Sequence, residues 1–164
     1  MVKFKKYFYA VIFEERTSKI LLISNGSQCF VPGGEVLDSD LSERGRQGWR
    51  RKFCCRVVPE QTGLSSYYLE ETIQDISSSY DVYPNEKEEE HSAIIVGRIG
   101  AYRINQERAK FYSVNDVQKM AEEGKINNIQ QIIIYRAFVS RDCHNSDYNK
   151  EAVPLLKESL KRFL

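Results

Sequence analysis

Two runs of charge in this 164-residue chain are of types that handle phosphate and metal. Arg44, Arg46, Arg50, Arg51, Lys52 and Arg56 form a basic stretch with Trp49 and Phe53 among them. Such groups hold phosphate oxygens by charge and can stack a base; the plainer reading is a solvated helix face with its aromatics turned inward. The second run, from Glu86 to Glu90, is acidic. Magnesium takes hard oxygen ligands, so this run is either a solvated loop or a source of metal ligands. Phosphate attracts cations and magnesium attracts carboxylates. Both runs therefore serve one site only if the fold brings them together.

A finer pattern lies around the basic stretch. Val31-Pro32-Gly33-Gly34-Glu35 reads as a strand end and a tight turn, and Arg56-Val57-Val58-Pro59-Glu60-Gln61-Thr62-Gly63-Leu64 as the end of a helix. Arg56 and Glu60, four residues apart, could be a simple surface pair worth about 0.3–0.5 kcal/mol. Taken together, and in this order, the two segments resemble the Nudix box, G-x5-E-x7-R-E-U-x-E-E-x-G-U with U aliphatic. The resemblance extends over about residues 5 to 139 and includes Phe111-Tyr112-Ser113-Val114-Asn115-Asp116-Val117, which is similar to the family's aromatic lead into its late helix.

The resemblance implies an α/β fold, a Nudix-like mixed β-sheet sandwiched between α-helices, and a hydrolase of a nucleoside diphosphate derivative that uses Mg2+ or Mn2+. Cleaving a pyrophosphate needs an activated water and stabilisation of negative charge, both of which a dication supplies. Carried over residue by residue, Arg56 and Glu60 are the catalytic candidates, with Arg56 orienting a carboxylate. Gly33 (through its carbonyl), Glu60 and Gln61 are the metal candidates. The family's first helix glutamate falls on Val57 and its third on Gln61, so two carboxylates are missing. The acid six residues after the second glycine falls on Asp40. The acid expected before the late aromatic is replaced by Lys110, which could pair with Glu60. Glu70, Glu71, Glu88, Glu89 and Glu90 are the nearest substitutes. The alternative that these losses open is a catalytically inactive Nudix-fold module that binds a nucleotide or a partner.

Fifteen residues separate Asp40 from Arg56, eight more than the motif has. In one continuous helix, eight residues would return Arg56 about 80° out of phase. Gly45 and Gly48 favour a break, so the expectation is a bulge from Ser42 to Trp49 over the cleft mouth. Arg44 and Arg46 would then be the substrate-binding candidates.

Composition bounds the rest. A content of 41% hydrophobic and 29% charged residues describes one globular domain, here 1–164 with a helical extension from about 141. A net charge of +1 gives no whole-molecule bias toward nucleic acid or acidic membranes. The expected partner, implied by the resemblance, is a small-molecule nucleotide or phosphate ester. No stretch approaches the roughly 18–20 apolar residues of a membrane span, and Lys3 to Phe13 does not read as a targeting signal; the expected compartment is the cytoplasm. Cys29, Cys54, Cys55 and Cys143 contain no C-x-x-C pair and suggest reduced, structural thiols. His91 and His144 stand alone, and no P-loop, dinucleotide fingerprint or G-x-S-x-G is present.

The elements that must position these residues follow from local pattern. Tyr7 to Phe13 and Lys19 to Ser24 are predicted strands joined by a polar turn. Asn25-Gly26 is a tight turn before a short strand at Gln28 to Val31, and Pro32-Gly33-Gly34 opens a loop. Leu41 to Gln61 is helix-compatible but interrupted, with Pro59 expected near a helix end and Gly63 as a C-cap. Tyr67 to Tyr83 reads as one or two strands, Pro84 to Glu90 as a charged loop and His91 to Ile104 as a strand. Ser113 or Asn115 caps a helix over Val117 to Glu122, Asn127 or Asn128 starts another, and Lys150 to Phe163 is a last helix.

Overall fold

A computed structural model of the chain describes residues 5–14, 19–41, 48–64, 73–75, 89–96 and 107–144. The elements run β1 (Lys5–Ile12), β2 (Ile20–Ser24), β3 (Cys29–Phe30), β4 (Gly33–Glu35), α1 (Asp38–Leu41), α2 (Gly48–Thr62), β5 (Ile73–Asp75), β6 (Glu89–Val96), β7 (Ala109–Tyr112), α3 (Val114–Glu122) and α4 (Asn128–His144).

β1 organises the molecule. Its near-continuous apolar sequence is that of a strand covered on both faces, and the period of two divides its side chains between two cores. Tyr9, Val11 and Phe13 pack toward α3 and α4, with Val117, Ile133, Ala137 and Phe138. Phe8, Ala10 and Ile12 pack toward α2, with Phe53, Cys54, Val57 and Val58. The sheet layer is thus enclosed between α2 and the α3–α4 pair. Phe8 makes edge-on contacts with Trp49 at 5.0 Å and Phe53 at 5.4 Å between ring centroids.

The strands form two sheets, ordered β4-β1-β6-β5 and β3-β2-β7. β1 runs parallel to β6 and antiparallel to β4, while β2 pairs antiparallel with β3 and β7. The opening strands expected as a pair are therefore in different sheets, bridged among the described residues at Phe13–Ile20. Two further expectations change. Gly33 and Gly34 are strand residues of β4, not loop, because β1 lies alongside them with Tyr9 opposite Gly33 and Phe8 opposite Gly34. β6 begins at Glu89 rather than His91, since Lys5 and Lys6 of β1 continue the ladder opposite Glu89 and Glu90.

Local signals hold well elsewhere. Asn25 Oδ1 accepts the Gln28 N–H at 3.2 Å, closing the turn at Gly26. Ser113 caps α3 by accepting the Asp116 N–H, and Asn127 Oδ1 accepts the Gln130 N–H at the start of α4. Pro59 lies in the last turns of α2, and Gly63, with φ of 73°, ends it by donating to the Pro59 carbonyl at 2.9 Å. No helix among the described residues is long and apolar enough to cross a membrane. The proposed helix at 150–163 and most of the 67–83 strands lie outside the described residues.

Phe8 is fully buried between β1 and α2. Phe8→Ala is expected to lower unfolding free energy by about 3–5 kcal/mol, read from the midpoint of urea denaturation at unchanged slope.

Candidate functional site

The site is built where α1, α2 and the start of β4 converge. Asp40, in α1, is only 1% exposed. A carboxylate that dry needs compensation, and three groups supply it. Arg56 of α2 donates from Nε to Oδ1 at 3.1 Å and from Nη2 to Oδ2 at 2.7 Å, and the Leu37 backbone N–H donates to Oδ2 at 2.9 Å. The Arg56 contact is the planar two-point geometry that suits guanidinium and carboxylate. Asp40 therefore closes the N-terminus of α1 and ties it to α2 in one set of bonds.

Burial pushes the Asp40 carboxyl upward, but the Arg56 and Leu37 hydrogen bonds and the charges of Arg56 and Lys52 outweigh it and hold the group below its ordinary value. Arg56 is shifted upward, chiefly by the Asp40 hydrogen bond and less by the charges of Asp40 and Glu60. Arg56 is thus the partner of Asp40 across the fifteen-residue gap. Glu60, exposed on the last turn of α2, adds only longer-range attraction.

The pairing joins α1, described to Leu41, with α2, described from Gly48. Residues 42–47 of the expected bulge lie outside the described residues, and its last two residues belong to α2. Gly48 and Trp49 form the first turn of α2, and Trp49 packs on Phe8, since burying an indole at the edge of the core is worth more than exposing it. The Lys6 ammonium and the Arg50 guanidinium lie 5.7 and 5.1 Å from the Trp49 ring. Arg44 and Arg46 lie outside the described residues, as do Glu70, Glu71 and Glu88.

Val57 and Gln61, the two positions without their carboxylates, are placed differently. Val57 is 4% exposed and belongs to the core beside Phe53 and Val58. Gln61 reaches from α2 to the edge strand β4. Its Oε1 accepts the Gly33 N–H at 3.0 Å, and its Nε2 donates to the Gly33 carbonyl at 2.8 Å. The amide thus satisfies both outward backbone groups of Gly33, as a neighbouring strand would. Only glycine fits at 33, because a Cβ there would stand 2.4 Å from the Phe8 carbonyl oxygen.

The donor set expected for a metal is therefore a mixed one. Gly33 and Gln61 are brought together, but through an N–H directed at the carbonyl, and Glu60 is the one acid on α2. Among the described residues no three His, Cys, Asp or Glu side chains assemble as a metal-holding group. As described, Gly33, Glu60 and Gln61 do not by themselves fit a bound dication. Lys110, on β7, is exposed with its ammonium 5.6 Å from the Tyr112 ring; Glu89 and Glu90 lie on β6. Cys54, next to this site, is buried, which with the neighbouring Cys55 pushes its thiol up to about 12. It is an inert packing residue.

Comparison with solved structures decides the fold. The NUDIX domain of Shewanella oneidensis NrtR, in complex with ADP-ribose, matches with a TM-score of 0.59 at 15% identity, over 86% of this chain and 90% of that one. A MutT NUDIX hydrolase from Burkholderia pseudomallei matches with a TM-score of 0.52 at 16% identity, over 82% and 98%. The chain has the Nudix fold. No protein-family model and no curated protein sequence matches it. In this chain α2 carries Arg56 to the acid of α1, Asp40. The pattern that sequence reasoning missed is the Gln61–Gly33 clamp. Its signal was present in the side chain itself, because an amide offers a donor as well as an acceptor.

The Asp40–Arg56 pair makes stability depend on pH. The folded-state carboxyl titrates below its unfolded value, so its contribution is complete above the ordinary aspartate value of 3.8 and disappears as pH falls through the lower folded value. Asp40→Asn is expected to cost about 1–3 kcal/mol at neutral pH, toward the lower end because water screens the Arg56 side chain, which is 36% exposed. In denaturation measured from pH 7 to pH 2.5, the gap between variant and parent should narrow steadily below pH 4. A constant gap would show that Asp40 acts by packing alone.

Proposed function

We propose that this Nudix-fold chain is a binding module for a nucleotide-type anion and does not hydrolyse it by the divalent-metal route. The observation that carries the reading is the charge on α2. The helix carries Arg50, Arg51 and Lys52, besides Arg56, which Asp40 matches, against one acid of its own, Glu60. Val57 is committed to the core, and Asp40 is already matched by Arg56 and the Leu37 N–H. A helix that must hold dications needs the opposite balance. A helix that meets phosphate directly needs this one.

Two further features support the ligand class. A pocket of about 400 Å3 lies between the start of β1 and α1, within the range of small-molecule sites. Lys5 and Lys6 line it with Glu35 and Asp38, together with Leu37 and Leu41, each 44% exposed, so it offers both signs of charge beside apolar surface. Leu41 directly precedes the stretch that holds Arg44 and Arg46. In addition, a solved Nudix-fold neighbour was crystallised with ADP-ribose, which makes that molecule the first ligand to try.

Calorimetry with ADP-ribose and simple nucleoside diphosphates in EDTA should show binding that weakens as salt rises. Arg44→Ala combined with Arg46→Ala should reduce affinity by roughly tenfold, the equivalent of about 1.4 kcal/mol. Nucleotide sugars, dinucleoside polyphosphates and oxidised nucleotides should survive incubation with magnesium or manganese. Turnover of any of them that Glu60→Gln abolishes would establish the hydrolase instead.

A further inference from the structure

The contact between Gln61 and Gly33 carries a conclusion about metal that is separate from the ligand question. Gln61 Nε2 stands 2.8 Å from the Gly33 carbonyl oxygen. Two oxygens bound side by side to an octahedral magnesium, each about 2.0–2.1 Å from it, are about 2.9 Å apart. The contact is an ordinary N–H···O hydrogen bond in length, and an oxygen put in place of the nitrogen would be near that ligand spacing. The orientation of the amide is set by its partners, because Oε1 accepts the Gly33 N–H at 3.0 Å and only the NH2 end remains for the carbonyl.

We propose that the Gln61 amide takes the place of a metal ion in this fold, its Nε2 proton bridging α2 to the Gly33 carbonyl where a dication would otherwise join two oxygens. The bridge has a structural task. β4 is a three-residue edge strand, and Gly33 turns its N–H and carbonyl toward α2. Without a partner these half-buried groups would be left to compete for water at the rim of the core. A neutral amide meets both at once and needs no ion. The folded site is accordingly complete without a dication, and its stability is indifferent to magnesium and manganese.

Exchanging one atom group tests this. Gln61→Glu replaces the NH2 by an oxygen, which leaves two acceptors facing each other at the spacing of cis metal ligands, with Glu60 adjacent in sequence. In EDTA at neutral pH, Gln61→Glu should lower Tm by about 3–8 °C. Millimolar manganese or magnesium should restore most of that loss. So should acid, because a protonated glutamate again donates to the Gly33 carbonyl. Its folded-state carboxyl is then raised, and the stability it supplies is present below the ordinary glutamate value and lost as pH rises through the raised one. Gln61→Ala should lose a similar amount that neither metal nor acid restores.

The proposal is overturned if manganese stabilises the parent protein as much as the Glu variant, since Gln61 would then be a ligand and not a substitute. It is also overturned if Gln61→Glu and Gln61→Ala respond alike to metal and to acid. None of these readings uses a nucleotide, so failure to bind ADP-ribose leaves the inference standing. Failure of the melting series equally leaves the binding reading open.

Discussion

A charged carboxylate at 1% exposure constrains everything around it. Asp40 cannot stay ionised in that setting without a cation and a hydrogen-bond donor, and breaking a pair of this kind leaves a buried charge behind. Arg56 and the Leu37 N–H meet the requirement, and the meeting fixes α2 in rotation as well as in place. With about 100° between successive residues, Val57 turns into the core, Glu60 stays about 40° from Arg56 on the outer side, and Gln61 falls within about 40° of Val57. Gln61 is thereby aimed at the sheet edge where Gly33 lies. One half-buried ion pair is thus in phase with the residues of the helix that pack, that face water and that reach β4.

The same constraint explains why eight extra residues disturb so little. Arg56 meets Asp40 all the same. Trp49, at the described start of α2, is packed against Phe8, so the position of α2 rests on packing and not on counting residues from α1. The aromatic cluster and the ion pair are in this sense one device. Phe8 holds Trp49 and Phe53, and the helix they anchor delivers Arg56.

Much of the fold was legible because its signals are local. The Asn25-Gly26 turn, the Ser113 and Asn127 caps, the glycine at the end of α2 and the apolar run of β1 each follow from a few neighbouring residues. What could not be read depends on partners distant in sequence. Gly33 and Gly34 show no alternation, having no side chains, and become a strand only because β1 lies beside them. Glu89 and Glu90 look like loop until β1 extends the ladder to them. β1 and β2 resemble a hairpin, but each finds better partners elsewhere. At the site, the arginine and its need for a carboxylate were legible, whereas the role of Gln61 was not. A reading that looks for metal ligands weighs only the oxygen of an amide, and here the nitrogen makes the shorter contact.

Val57 and Gln61 depart from the motif in one direction by different physics. Valine gives its position to the hydrophobic core, where burying a branched side chain is worth about 1.5–3 kcal/mol and where a carboxylate would be costly. Glutamine keeps polarity and geometry but removes charge, so the Gly33 carbonyl is satisfied within the protein. Relative to a helix with glutamate at both places, α2 loses two negative charges and becomes more positive without changing sign. Fold and chemistry are separable here because they rest on different residues. Asp40, Arg56, Phe8 and Trp49 hold α2 in place, and none of them is at 57 or 61.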